Sequence, residues 1–280
     1  MQPFLIALAL LAVTIPVASA GAKRSIDFTL ENITNGITYR PFLVAAHAQD
    51  KPVFSVGADA TSPAMAGIQL MAECGGLGPA PFPNLVDRLS ADGADFVANP
   101  VDIVKPFDPP LGLLFPAGIT AGDTLVPFDA GLAGSVSGTL VIDDNANRYL
   151  SVVAMLLPTN DAFVGLDSWP IPATPGTHIL YLPAYDAGTE TNNEIMSDDN
   201  PLDCVPNEPG FPVDPLGNTG TGGSGLAQAD VSPRIHIHRN QLGDLDSVGG
   251  PGDLDSRIHR WQNPVVKMTV TIRPGTGNGR

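Results

Sequence analysis

Glycine and proline punctuate this chain so densely that no long helix can run through it. There are 30 glycines and 28 prolines among 280 residues, about a fifth of the chain where roughly an eighth is usual. Proline removes a backbone donor and clashes with the preceding helical turn, and glycine leaves a helix for entropic reasons. With 43% apolar residues the chain still has material for a core, so wholesale disorder is excluded. Short strands joined by turns remain as the expected solution.

The residue patterns agree with that expectation. Ser25 to Thr34 alternates, with Ile26, Phe28, Leu30 and Ile33 apolar, ahead of an Asn35-Gly36 turn signal. Further strands are predicted at Phe42 to Ala46, Thr139 to Ile142, Tyr149 to Leu157, His178 to Leu182, Arg234 to His238 and Val265 to Ile272. In the last, Val266, Met268, Val270 and Ile272 share one face, and Lys267, Thr269, Thr271 and Arg273 the other. Seven or eight such strands predict an all-β, antiparallel sandwich. Two short helices are expected in the N-terminal part. One runs from Pro63 to Cys74, capped by Ser62 and stopped by Gly75; the other runs from Leu85 to Ser90, capped by Asn84.

Residues 198–230 lose the strand pattern, with Pro206, Pro209, Pro212 and Pro215 leading into a Gly-rich run to Gly225. A long loop within one domain over 21–280 is the expectation, since a lone final hairpin could not stand alone. Gly220, Gly222 and Gly225 match a dinucleotide fingerprint only formally, for no strand precedes them. The sequence Gly-Asp-Leu-Asp-Ser occurs at Gly243 to Ser247 and again at Gly252 to Ser256. It reads as an acidic loop or as a weak extra cation site.

Met1 to Ala22 carries no charged side chain, and Ala18-Ser19-Ala20 supplies the small residues a signal peptidase accepts. Residues 1–20 therefore read as a cleaved secretory signal, despite the lack of Lys or Arg before the apolar run. An uncleaved anchor is the rival reading, and Pro16 counts against it. Cys74 and Cys204, an even pair in an exported chain, suggest one disulfide; two buried thiols are the alternative. Asn32-Ile33-Thr34 is a glycosylation sequon. With 14 Lys and Arg against 29 Asp and Glu, the net charge is −15. Such a field repels phosphate backbones, excluding nucleic acid, and anionic membranes unless a divalent cation bridges. It attracts cations.

Leu150 to Glu194 is where chemistry is expected. If the extended pieces at Tyr149–Leu157, Phe163–Trp169 and His178–Leu182 run up, down and up, Asp161 and Asp186 emerge at one end. Glu190 lies four residues beyond Asp186 across a glycine and can fold back. Three carboxylates from two loops make a hard-oxygen site suited to one Ca2+. Local Asx-turns at Asp161 and Asp186 are the plainer alternative.

Thr-Asn-Asp-Ala-Phe-Val-Gly-Leu-Asp at Thr159 to Asp167 and Tyr-Asp-Ala-Gly-Thr-Glu at Tyr185 to Glu190 resemble the spondin N-terminal domain, the F-spondin and mindin type. Weaker agreements are Glu31 to Gly36, Pro41 to His47, Phe54 to Gly57 and Trp261 to Val265, in the family's order. The resemblance implies a C2-like sandwich holding one Ca2+ through Asp161, Asp186 and Glu190. It also implies a module for cell adhesion or matrix contact whose partner is an extracellular or cell-surface ligand. Glu190 departs from the family, whose animal members carry Asp there. Residues 198–229 have no counterpart.

His236 and His238 share a strand face and could bind Cu2+ or Zn2+, with His47 or His259 as a third ligand. Hydrogen bonds from an edge strand to nearby carboxylates, such as Asp244 and Asp246, are the alternative. Asp143 to Asn147 resembles the start of an EF-hand loop but carries Arg148 where Gly is required, so it reads as a turn. Trp169, Trp261 and Tyr185 read as an aromatic patch beside the acidic loops or as core. No nucleophile elbow, His-Glu-x-x-His or P-loop is present. The expected protein is an exported, monomeric, non-enzymatic Ca2+-binding module. A secreted metalloenzyme or copper/zinc protein using His236 and His238 is the alternative.

Overall fold

A computed structural model describes residues 23–34, 37–77, 85–98, 135–194, 234–245, 252–257 and 259–275. The strands are β1 (Lys23–Asn32), β2 (Thr38–Tyr39), β3 (Leu43–His47), β4 (Asp95–Ala98), β5 (Ser135–Asp143) and β6 (Tyr149–Leu157). After these come β7 (Ala162–Pro170), β8 (Gly176–Leu182), β9 (Ala184–Asp186), β10 (His236–Ile237) and β11 (Val266–Ile272). Two helices, α1 (Ile68–Cys74) and α2 (Leu85–Asp92), lie between β3 and β4.

Every strand pair is antiparallel. One sheet has the order β5-β1-β11-β8, and the other β10-β9-β7-β6-β3-β4 with β2 beside β6. An all-β antiparallel sandwich with two short inserted helices is therefore the architecture. The first sheet has one wet face. Ile26, Phe28 and Leu30 of β1 and Val266, Met268, Val270 and Ile272 of β11 turn inward. Across the outer face Glu31 pairs with Lys267 at 2.6 Å and Asp27 with Arg273 at 2.5 Å.

The second sheet is covered on both faces, and its central strand shows it. β6 presents Leu150, Val152, Ala154 and Leu156 to the sandwich core. Val153, with Leu43, Ala45 and Phe163, faces a second cluster built on Ile68, Met71 and Ala72 of α1 and Leu85 and Leu89 of α2. A strand buried on both sides loses its polar alternation, and residues 150–157 are all buried. The helical layer thus brings α1 over β6 and β7, between which Asp161 lies.

Several expectations shift in detail. The helix expected over Pro63–Cys74 divides into a 3-10 turn (Pro63–Met65) and α1, because Gly67 adopts φ +91° between them. The chain changes sheets at Pro183, so β8 belongs to the first sheet and β9 to the second. Expected strand Arg234–His238 contracts to β10. Asn32 is buried, and its Nδ2 donates to the Ile37 carbonyl at 2.9 Å, so the sequon nitrogen serves a turn. Asp143 likewise acts in a turn, accepting the Asn145 amide at 3.0 Å.

The two Gly-Asp-Leu-Asp-Ser segments pair with each other. Asp244 bridges Asp255 in parallel, with amide bonds from Asp244 to the Leu254 carbonyl and from Ser256 to the Asp244 carbonyl. Gly243 sits at φ +60°, and a Cβ there would lie 2.5 Å from the Leu254 oxygen. A backbone contact accounts for the repeat. Asp246 and Ser247 lie outside the described residues, as do residues 1–22, Asn84, Cys204 and the 198–230 loop.

Candidate metal centre

Strand pairing brings the expected carboxylates to one end. Asp161 precedes β7 and Asp186 ends β9; Ala162 pairs with Asp186, and the Ala187 amide donates to the Asp161 carbonyl at 3.2 Å. The turn leading into Asp161 is pinned by its own polar groups. Thr159 Oγ1 donates to the Leu156 carbonyl, and Asn160 Nδ2 to the Thr191 carbonyl at 2.7 Å. Asp161 Oδ2 then accepts the amides of Thr189 and Glu190 at 2.8 and 3.0 Å. Its Oδ1 is buried and accepts no hydrogen bond.

Asp186 closes an Asx-type turn. Its Oδ1 accepts the Gly188 amide at 2.7 Å, and Gly188 lies at φ +73°, a conformation glycine adopts freely. Asn192 Nδ2 donates to Asp186 Oδ2. Glu190 folds back into the same interior and is 4% exposed, with Oε2 buried and unpartnered. The expected Asx-turn is seen at Asp186, whereas Asp161 instead ties down the distant 189–190 amides, and the carboxylates converge.

A fourth carboxylate joins them. Glu73, near the end of α1, is 2% exposed, and its charge acts on both Asp161 and Glu190. Sequence reasoning treated α1 only as a capped helix. The available signal was a single acid in an otherwise apolar turn, Leu70-Met71-Ala72-Glu73-Cys74. Burial, Asp186 and Glu73 drive the Asp161 carboxyl well above the usual carboxylate range, against the two amide bonds. Burial, Glu73 and Asp161 push Glu190 up to about 10. Buried carboxylates this close raise one another's pKa. A buried cation, Arg40, reaches the end of α1 next to Glu73, where its Nη2 donates to the Cys74 carbonyl at 3.4 Å.

The histidines adjoin this cluster. β10 pairs with β9 so that His236 stands opposite Asp186. The Nε2 atoms of His236 and His238 lie 3.7 and 4.0 Å from Asp186 Oδ2. His238 has both nitrogens engaged: Nε2 bonds to Asn192 Oδ1 at 2.8 Å and Nδ1 accepts the Asn240 amide at 3.1 Å. Burial holds it down at about 4. His236 is exposed, with Nδ1 bonded to the Arg234 carbonyl at 2.8 Å. His47 is elsewhere, paired with Tyr149 at the opposite end of β6, and binds Ser151 and Ala48. His259 Nδ1 accepts the Asp255 amide at 3.0 Å. The carboxylate beside both imidazoles is Asp186; of the two suggested by the sequence, Asp246 lies outside the described residues.

The aromatic residues separate into three settings. Tyr185 packs with Phe54 and Phe163, Trp169 meets His178, and Trp261 lies over His238 while donating to Gln241 at 2.9 Å. Cys74 is buried at the end of α1; no described cysteine is free. Its expected partner Cys204 lies outside the described residues.

The donor set has the chemistry of a hard-cation site: buried carboxylate oxygens from two loops and a helix, two of them without partners. Among the described residues, no three His, Cys, Asp or Glu side chains already form a coordination group. The amides of Thr189, Glu190 and Gly188 and the Asn192 side chain occupy oxygens that a cation would otherwise draw upon. Asp161 Oδ1 and Glu190 Oε2 remain. No family model matches the chain, and no curated protein matches it significantly.

Proposed function

We propose that this protein is an exported, non-enzymatic Ca2+-binding β-sandwich module of the spondin N-terminal, C2-like type. The observation that carries the reading is the buried Asp161 Oδ1, unpartnered among carboxylates that repel it. Asp161, Asp186 and Glu190 would hold the ion, with Glu73 adding charge from α1. The ion would neutralise the cluster and rigidify the loops from 158 to 161 and from 187 to 194.

The module acts by presenting that ordered rim to an extracellular or cell-surface ligand, in the manner of an adhesion domain. Cys74 and Cys204 form a disulfide that ties the long 198–230 loop to α1. Nucleic acid is excluded by charge, and membrane contact requires a bridging cation. Among the described residues no helix is long and apolar enough to cross a membrane.

Thermal melts in Ca2+ and in EDTA test the reading. At a concentration 100 times the dissociation constant, Ca2+ stabilises the fold by about 2.7 kcal/mol. Superimposable curves, together with the same result for Asp186→Asn, count against it.

A further inference from the structure

Beside the carboxylate cluster lies an open groove of about 720 Å3, between the loop at Val56 and Gly57 and the β10 edge. Its size falls in the range of small-molecule sites. The groove is unusual in this chain for its charge. Lys and Arg together number only 14 against 29 acids, yet Arg234, His236 and Arg239 all line it.

Both guanidiniums are anchored and still have donors to offer. Arg234 Nη1 donates to the Gly57 carbonyl at 2.9 Å, and Arg239 Nη2 donates to the Asn192 carbonyl. Each anchor is a neutral carbonyl, and neither arginine forms a salt bridge with a described carboxylate. A guanidinium has five N–H donors in a planar fork, so most of each fork is uncommitted. Within the same lining the Thr191 hydroxyl is shut off from solvent and has no hydrogen-bond partner. Val56 and Ile235 add an apolar wall.

We infer that this groove binds a small ligand bearing a carboxylate, with Arg234 and Arg239 as its anchors. A carboxylate matches the fork bidentately. A phosphate dianion matches less well, because Asp186 borders the groove and repels the second charge. The apolar wall of Val56 and Ile235 fits a ligand that carries ring surface beside its carboxylate, as an acidic sugar does. The argument stands on the arginines and does not rest on calcium.

Thermal shift with galacturonate, galactose and sulfate at matched ionic strength tests the inference, in Ca2+ and in EDTA. Galacturonate raises Tm by a few degrees and galactose does not. The Arg234→Gln/Arg239→Gln variant, compared with its own melt without ligand, loses the response. Arg239→Lys keeps the charge but not the fork, and its response is reduced. Equal shifts with galactose, equal shifts with sulfate, or a galacturonate response surviving in the double glutamine variant each overturn it. Ca2+ melts without sugar report on the cation separately, so either reading can fail while the other stands.

Discussion

The Asp161 carboxylate accepts the Glu190 backbone amide at 3.0 Å, while burial, Glu73 and the Asp161 charge together raise the Glu190 side chain's affinity for protons. Glu190 thus meets Asp161 twice: its amide favours the Asp161 charge, and that charge in turn disfavours ionisation of the Glu190 carboxyl. On the proposed reading, loop stability and affinity for a cation are coupled at this pair.

Glu190→Gln separates the two roles. With its carboxyl pushed up to about 10, Glu190 is protonated at neutral pH without a cation, so glutamine mimics that form. The variant should melt close to the parent in EDTA. It should lose most of the roughly 2.7 kcal/mol stabilisation that Ca2+ at 100 times Kd gives the parent. Differential scanning calorimetry with and without Ca2+ reads both quantities.

A pH dependence follows from His47, remote from the cluster. Its Nδ1 faces the Ala48 carbonyl at 2.8 Å, which can only accept, so Nδ1 carries the proton. Nε2 then accepts from Ser151 Oγ at 2.8 Å, and that oxygen accepts the Ser168 amide at 3.0 Å. Burial lowers the His47 pKa below its ordinary 6.5, outweighing the attraction of Asp167. The unfolded chain therefore binds a proton first. This contribution is whole above about pH 6.5 and is lost as pH falls toward the folded pKa, at no more than about 1.4 kcal/mol per pH unit. His47→Gln, compared with the parent in denaturant titrations from pH 8 to 5, should show the shallower loss. Parallel curves would contradict the assignment.

Gly165 is held to glycine by packing. A Cβ there would stand 2.6 Å from Phe54 Cζ and 2.7 Å from Tyr185 Cδ2. Those rings meet each other at 5.0 Å and Phe163 at 5.2 and 5.6 Å, so neither can swing away without disturbing the other. Gly165→Ala should cost about 1–3 kcal/mol, measured as a lower midpoint in urea with an unchanged slope.

The cysteine proposal has its own test. Alkylation of the unfolded, unreduced protein should label neither Cys74 nor Cys204, and mass spectrometry should find their peptides joined. Reduction should then lower stability by about 2–5 kcal/mol. Two labelled thiols would remove the disulfide.

How far the sequence could be read depended on solvent. β1 and β11 were legible because their sheet has a wet face, which imposes alternation on Ile26 to Leu30 and Val266 to Ile272. β6 was legible as an apolar run. β10 was legible as part of the expected Arg234–His238 strand, but β9 was not separable from β8 by pattern, since three residues carry no period and the break is set by the chain's crossing at Pro183. Asp161 and Asp186 could be brought to one end from strand direction and Glu190 from the glycine bend after Asp186, although β8 lies in the other sheet and it is β9 that carries Asp186. Glu73 could not, because it arrives from a helix 88 residues before Asp161, through packing of α1 on the second sheet. His236 and His238 were seen as a pair, but that their common neighbour is Asp186 depends on the β9–β10 register.

Isothermal titration of Ca2+ into protein stripped of metal is the most direct test of the central claim. One ion per chain should bind to the parent, and none to Asp161→Asn, a variant that retains an oxygen able to accept the Thr189 and Glu190 amides. An absence of binding by the folded parent, or binding undiminished in Asp161→Asn, would contradict the account.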